Sequence, residues 1–410
     1  MKFLYTLLIR LYVLVIRLAK PFNKKAKQWI DGRKTRVALP ESFRKSGKRI
    51  WFHCASLGEF EQGRPVMESI RQQFPDIKII LTFFSPSGYE IRKNYAQADI
   101  VLYLPADIPA RVKGFLNTYQ PDIAIFIKYE FWFNYLNELY KRDIPVVFAS
   151  AIFRPSQHFF KWYGGWFRKY LRNADRIFVQ DANSLKLLES IGLVNAVKAG
   201  DTRFDRVFEN AVKPKRFSLI EKFKGDSKIV LGGSTWPPEI ELLGRYIREA
   251  GQEVKYIIAP HEVDPNTVNA IRTKLGGDTV LYSEAEKVNL SQYRILIIDG
   301  IGFLSHLYQY ADIAVIGGGF GKGIHNILEA ATFGVPVIFG PNYLKFREAV
   351  ELKDLKGAFS VNDFEEFKNT LSPLLKKFSF RKETGEICRK YVQANTGATR
   401  IITQYIRAKL

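Results

Sequence analysis

Cysteine is nearly missing from this chain. Cys54 and Cys388 are its only two in 410 residues and lie far apart, without metal-ligand spacing, so a disulfide scaffold and a thiolate metal site are both excluded and a reducing compartment fits. Acid is nearly missing from the N-terminus. Residues 1–50 hold fourteen Lys and Arg against Asp31 and Glu41, a surplus of twelve out of a net charge of +21, so the partner met first is anionic. A long unbroken apolar run is also absent. Residues 1–20, MKFLYTLLIRLYVLVIRLAK, are divided by Arg10 and Arg17 and fall short of the ~20 uninterrupted residues of a clean membrane span. Arg10 also splits the would-be core of a signal peptide, and no small-residue cleavage site follows. No solenoid period is visible.

What is present is a folded, two-domain composition. Hydrophobic residues make up 47% and aromatics 14% of the chain, and its length suits two cores of about 180 residues each. On a helical wheel Lys2, Thr6, Arg10, Arg17, Lys20, Lys24 and Lys27 fall within roughly a 100° arc, with Leu, Ile, Val, Phe and Tyr filling most of the rest. The N-terminus therefore reads as a basic apolar helix lying in an anionic membrane surface, with a kink at Pro21; a tilted span with snorkelling arginines stays open. This apolar pattern decides for a membrane over nucleic acid, which the charge alone would equally fit.

From Lys48 onward, apolar runs alternate with helical stretches. Residues 50–56, 77–84, 99–105, 122–130, 144–151 and 176–181 read as strands, and a second series follows at 228–234, 255–262, 294–300, 313–319 and 336–340. Near-continuous apolar strands between helices imply parallel sheets covered on both faces. Residues 206–227, rich in Lys and Glu, read as a linker, so two doubly wound α/β domains facing a cleft are expected. The divisions are 1–30 for the anchor helix, 31–210 and 211–390 for the domains, and 391–410 for a last helix crossing back to the first domain.

Ligands of such sheets bind beyond the carboxyl ends of the strands. The richest segment is 315–341, VIGGGFGKGIHNILEAATFGVPVIFGP, read as strand, glycine-rich turn, helix over 324–333, and strand. Glycines and a helix N-terminus suit a phosphate, with His325 and Asn326 at the helix start and Glu329 one turn on, where its carboxylate suits ribose hydroxyls. The other clusters are Ser56 with Glu59, Ser87 with Gly88, Glu130, Ser234 with Thr235, His261, and Arg203. Each has a plainer reading. Ser56 and Glu59 have capping-box spacing, Glu130 could pair with Lys128 or Lys141, Ser234 and Thr235 could cap a helix near Pro237, His261 could be a loop imidazole and Arg203 a surface charge.

The segments WFHCASLGEFEQGRP, LTFFSPSGYE, KYEFW, GDTRFD, GGSTW and GGGFGKGIHNILEAATFGVPVIFGP, in this order, resemble the 3-deoxy-D-manno-octulosonic acid (Kdo) transferases. The resemblance implies a GT-B fold of two Rossmann-like domains with acceptor on the first and donor nucleotide on the second. It implies inverting transfer of Kdo from CMP-Kdo to a lipid A precursor at the cytoplasmic face of the bacterial inner membrane, without a metal. Glu59, in the family's S-x-G-E motif with Ser56 and Gly58, would be the catalytic base. Ser87, Gly88, Glu130 and Arg203 would serve the acceptor; Ser234, Thr235, His261, Gly318, Gly319, Lys322, His325, Asn326 and Glu329 would serve the donor. Three positions depart from the family pattern. Trp236 stands where His is usual, Pro260-His261-Glu262 lacks the usual arginine, and Lys345 replaces an Asn; Lys322 and Lys345 are candidate substitutes for the missing contacts. Another GT-B nucleotide-sugar transferase, a sugar-nucleotide 2-epimerase and a non-catalytic nucleotide sensor are the alternatives. The epimerase would need no anchor, and the sensor no paired acids.

Overall fold

A computed structural model describes residues 1–34, 39, 41–43, 47–249 and 253–410. The chain forms two compact units, one of Met1–Asp205 with Thr396–Leu410 and the other of Arg206–Asn395. Each unit is built on one seven-stranded sheet. The first sheet contains β1 (Arg49–Cys54), β2 (Lys78–Phe83), β3 (Ile100–Tyr103), β4 (Ile123–Ile127), β5 (Val146–Ala151), β6 (Arg176–Val179) and β7 (Ala196–Lys198) in the order β3-β2-β1-β4-β5-β6-β7. The second contains β8 (Lys228–Thr235), β9 (Val254–Pro260), β10 (Thr279–Leu281), β11 (Ile295–Ile297), β12 (Ile313–Ile316), β13 (Val337–Phe339) and β14 (Ala358–Ser360) in the order β10-β11-β9-β8-β12-β13-β14. Every neighbouring pair is parallel.

The expected central strands are present within a few residues at each end. Three strands were not expected, β7, β10 and β14, and all three lie at a sheet edge and span only three residues. So short a segment carries too little apolar pattern to stand out. The stretch read as a linker is largely helical, with helices at Thr202–Val212 and Ser218–Lys224. Ile220 and Phe223 of the second are fully buried, and burial of that face outweighs the polar composition that suggested a loop.

In the first unit, β1 divides its side chains between two cores. Ile50, Phe52 and Cys54 face one layer and Trp51 the other. The helix Ala398–Arg407 closes the first of these layers, placing Ile402 and Ile406 in the same core as Ile50 and Phe52 and packing on α3 (Leu57–Gln73), labelled here after the two N-terminal helices α1 (Lys2–Ala19) and α2 (Lys24–Gly32). Its N-terminus is tied down by Asp205, whose carboxylate accepts hydrogen bonds from the Gly397 N–H at 2.6 Å, the Thr399 N–H at 2.7 Å and the Thr399 hydroxyl at 2.8 Å.

The N-terminal segment differs from the single helix expected. The chain turns at residues 20–23, so Lys24 and Lys27 lie on α2 and not on the basic stripe of α1. Part of that stripe also faces the protein. Thr6 meets Asn134, Lys20 pairs with Asp31 at 2.6 Å, and Val13 packs with Trp29, Ile30 and Ala106. Tyr5 donates to Asp107 at 2.7 Å. The opposite face of α1 is apolar and exposed, carrying Phe3, Leu4, Leu7, Leu8, Leu11, Leu14, Val15 and Leu18, while Arg10 and Arg17 also remain exposed. Among the described residues no helix is long and apolar enough to cross a membrane; Lys2, Arg10 and Arg17 interrupt the apolar residues of α1.

Asp205→Ala should remove three hydrogen bonds from the start of the last helix and cost about 2 kcal/mol. The check is faster proteolysis at the C-terminus together with a lower melting temperature; unchanged protection would mean that Ile402 and Ile406 hold the helix unaided.

Candidate active site

In each sheet the strand order reverses once, between β1 and β4 in the first and between β8 and β12 in the second. Loops leaving the carboxyl ends of such strand pairs diverge and leave a crevice, and the residues singled out from the sequence cluster on these loops.

After β1, Ser56 sits at the N-cap of α3, but its side chain makes no capping bond to the helix backbone. Its hydroxyl instead donates to the Glu59 carboxylate, and the Lys128 ammonium lies 3.6 Å from the same carboxylate. The capping box that would have made both residues merely structural is therefore not formed. Gly58 is exposed in the first turn, with no neighbour closer to a would-be Cβ than the Ser56 hydroxyl at 3.7 Å. Lys128 follows β4 and holds φ at +64°, in the left-handed region, which turns the chain towards Glu130 at a cost typical of functional loops.

Glu130 is largely buried, and burial followed by the proximity of the Glu59 charge pushes its carboxyl up to about 7. Its carboxylate lies 3.9 Å from Nε2 of His53, a residue on β1 that sequence reasoning passed over because it sits inside an apolar strand. The Trp132 indole N–H donates to that Nε2 at 2.9 Å, so Nε2 is an acceptor and Nδ1 carries the proton, donating to the Thr82 hydroxyl at 2.9 Å. Full burial holds the ring neutral, with its pKa lowered to about 3. The arrangement therefore separates two acids. One is paired with an ammonium and one is held near neutrality, a division that suits a proton acceptor beside a neutral partner.

The remaining residues of the first unit are placed less directly. Ser87 is exposed beside Ser85, which caps the helix Pro86–Arg92. Gly88 has no room for a side chain, since a Cβ would lie 2.3 Å from the Phe83 ring; its need is packing. Arg203 is gripped by Asp201 at 2.8 Å, and Asp201 in turn accepts from Gln62 of α3 at 3.2 Å, so the GDTR segment braces the helix that begins beside Glu59.

In the second unit β8 bends at Ser234, its next-to-last residue, where φ is +51° and the pairing with β9 shifts register. Thr235 is buried. The indole of Trp236 stacks on His261 at 4.5 Å, and His261 stacks on His325 at 4.5 Å. The Trp236 N–H donates to Nε2 of His325 at 3.0 Å, and burial with the neighbouring His261 lowers the His325 pKa. The glycine-rich turn spans residues 317–322, and the helix after it is much shorter than the sequence suggested, Leu328–Ala331, with 323–326 irregular. His325 and Asn326 therefore precede a four-residue helix. The Asn326 amide carbonyl caps the Leu328 N–H at 3.2 Å, and its NH₂ group donates to Glu329 at 3.2 Å, contacts that compete with extension of the helix. Gly317 passes so close to the Ser234 carbonyl that a Cβ would lie 2.0 Å from it, and Gly319 packs equally tightly on Gly340. The Gly318 N–H is taken by Glu239, a residue not singled out from the sequence although it lies three positions after Trp236, at capping-box spacing.

A cavity of about 480 Å³ is lined by Trp236, Glu239, Gly318, Lys322 and His325 among others. A second of about 660 Å³ adjoins it at Gly321 and Lys322 and reaches Asn342 and Lys345. Lys322 and Lys345 give this region the positive charge an anionic ligand needs. Among the described residues no three His, Cys, Asp or Glu side chains converge as a metal site.

Comparisons with known proteins find similarity over most of the chain. A family profile described as "3-Deoxy-D-manno-octulosonic-acid transferase (kdotransferase)" matches residues 31–206. The chain is 26% identical over 415 residues to the 3-deoxy-D-manno-octulosonic acid transferase of Rickettsia bellii, covering 99% of this chain and 97% of that protein. In fold it is similar to a UDP-GlcNAc 2-epimerase from Neisseria meningitidis bound to UDP-GlcNAc, with TM-score 0.61 and 17% identity over 88% of this chain and 100% of that one. It is also similar to a glycosyltransferase from Rickettsia africae, with TM-score 0.57 and 13% identity over 89% and 98% of the two chains. The architecture is thus α/β of the GT-B type.

Glu130 offers a pH test. Its folded pKa of about 7 exceeds the ordinary 4.5, so across that window the folded state keeps a proton that the unfolded chain has lost, and stability falls as pH rises. The melting temperature of Glu130→Gln relative to wild type should therefore rise between pH 5 and 8, by on the order of 5 °C. A constant difference would show that Glu130 titrates normally.

Proposed function

The chain belongs to the Kdo transferase family and is a glycosyltransferase, and from that premise we propose that it moves Kdo from CMP-Kdo to an acylated, phosphorylated glucosamine disaccharide, the lipid A precursor. The observation that carries this reading is the carboxylate of Glu59, held by Ser56 and Lys128 beside a second acid of raised pKa. A sugar hydroxyl of the acceptor attacks the anomeric carbon of Kdo, the bond to the cytidylate oxygen breaks with its electron pair, and Glu59 takes the hydroxyl proton. Lys128, 3.6 Å away, and the Ser56 hydroxyl hold the Glu59 carboxylate in place before acceptor arrives. Glu130, near half-protonation at neutral pH, is suited to donate a hydrogen bond and orient the incoming sugar. The leaving group is a phosphate monoester, and Lys322, His325 and Lys345 offer it cationic and hydrogen-bonding partners without a divalent ion.

The localisation we propose is the cytoplasmic face of the inner membrane. The exposed apolar face of α1, flanked by Arg10 and Arg17, supports a helix lying in an anionic surface, where area and charge act together. This differs from a detachable anchor, because the other face of α1 is part of the first unit.

Incubation of the protein with CMP-Kdo and a tetraacylated lipid A precursor should give a product heavier by one or more Kdo residues, read by mass spectrometry. Glu59→Gln should lower turnover by about 10³-fold while leaving CMP-Kdo affinity unchanged; near-normal turnover would remove Glu59 from the role of base. A triple change of Leu7, Leu11 and Leu18 to Glu should weaken binding to phosphatidylglycerol vesicles at least about tenfold without lowering the melting temperature. Unchanged vesicle binding would place the membrane contact elsewhere.

A further inference from the structure

The glycine-rich turn already holds an anion, supplied by the protein itself. Glu239 is the third residue of the helix Pro237–Glu249 and is only 1% exposed. One oxygen of its carboxylate accepts the Gly318 N–H at 2.9 Å and the other accepts the Trp236 N–H at 3.0 Å. Successive main-chain N–H groups in a glycine turn, together with the first turn of a helix, form the kind of concavity that binds phosphate in many proteins. Here that concavity is filled from within.

This has two consequences for the cavity beside it. First, the N–H group of Gly318 is committed, so a phosphate entering the cavity does not find that donor free and meets the side chains of Lys322 and His325. Second, the turn and the Trp236 loop are fixed to one another on two sides. Gly317 lies against the Ser234 carbonyl with no space for a side chain, and the Glu239 carboxylate bridges the Trp236 and Gly318 backbones a few residues away. The Trp236 indole, thus placed, reaches His325 at 3.0 Å.

We propose that Glu239 is the positioning residue of the donor site: its carboxylate locks the glycine-rich turn to the Trp236 loop and so sets where Lys322 and His325 meet the donor phosphate. This rests on the reading that the cavity takes the cytidylate of the donor. Burial raises the Glu239 pKa above the ordinary carboxylate value, and the converging N–H groups limit that rise by stabilising the carboxylate. Replacement by Gln keeps the size but sets an NH₂ group against a main-chain N–H, so one side of the bridge opens. Asp keeps the charge but is one methylene shorter, so it retains part of the bridge.

The test uses the full chain and CMP as the probe. In the wild type without nucleotide, hydrogen exchange at Gly318 should be slow, and saturating CMP should change it less than about twofold, because that donor is already satisfied. Glu239→Gln should speed exchange at Gly318 and weaken CMP binding by about tenfold, equivalent to one strong hydrogen bond. The acceptor KM should stay within about twofold of wild type, since a general loss of structure would move both, and Glu239→Asp should fall between wild type and Gln. CMP slowing exchange at Gly318 more than about tenfold in the wild type would overturn the proposal, by showing that this amide holds the phosphate. Wild-type CMP affinity in Glu239→Gln would overturn it equally. Failure of the wild type to bind CMP at all would instead remove the donor reading of the cavity, and the nucleotide-free exchange rates separate that case from the others. Should Glu239→Gln not fold, the wild-type exchange experiment alone decides.

Discussion

A parallel sheet that reverses its strand order once has one place where consecutive loops must part, and both units of this protein depend on that constraint. β1 and β4 flank it in the first sheet, β8 and β12 in the second. Helices cover both faces of each sheet, so polar side chains near the reversal are presented at the strand ends. Ser56, Glu59, Lys128 and Glu130 come from the first pair of strands; Ser234, Trp236 and the glycine-rich turn come from the second. The candidate site residues thus occupy positions the topology leaves open.

Within the first unit, electrostatics divides labour between two similar residues. Glu59 shares its carboxylate with a hydroxyl and an ammonium, whereas Glu130 is enclosed by Trp132 and a neutral His53 with the Glu59 charge nearby. Two ionised carboxylates in one buried site would repel, and the less solvated of the pair keeps its proton. His53 contributes by staying uncharged, as an acceptor for Trp132 on one side and a donor to Thr82 on the other. Were it to ionise, Trp132 would lose its acceptor and the loop carrying Glu130 would lose its brace.

Much of this was legible in the sequence, and the exceptions share causes. The central strands announce themselves as β-branched and aromatic runs, and the SLGE, KYE and GST segments at their ends could be placed before any coordinates. The edge strands β7, β10 and β14 could not, because three residues carry no period. Residues 206–227 misled because their polar majority hides the two apolar positions, Ile220 and Phe223, that fix a helix. In α1 the basic residues were read as one stripe facing lipid. Burial of Val13 and the pairing of Lys20 turn part of that stripe inward and leave the leucine face outward, a choice made by tertiary packing that a helical wheel cannot register. His53 was hidden by lying inside a strand, and Lys128 was visible only as a partner for the wrong acid.

The glycine-rich turn shows where motif reading and structure part most sharply. Glycines after a strand signal a close approach of backbone, and a phosphate is the usual reason for one. In this protein the close approaches at Gly317 and Gly319 are to the chain itself, to Ser234 and Gly340, and the N–H group of Gly318 serves an internal carboxylate. Asn326, capping Leu328 locally, ends the extended stretch and leaves only a short helix with little dipole to offer. The anion-binding character of the region therefore passes from backbone to side chains, Lys322, His325 and Lys345. That transfer matters for specificity, because a lysine is a flexible point charge that tolerates displaced phosphates, whereas a fixed amide cradle does not. Trp236 and Lys345 belong to the same arrangement: an indole that pins His325 and a lysine beside the turn.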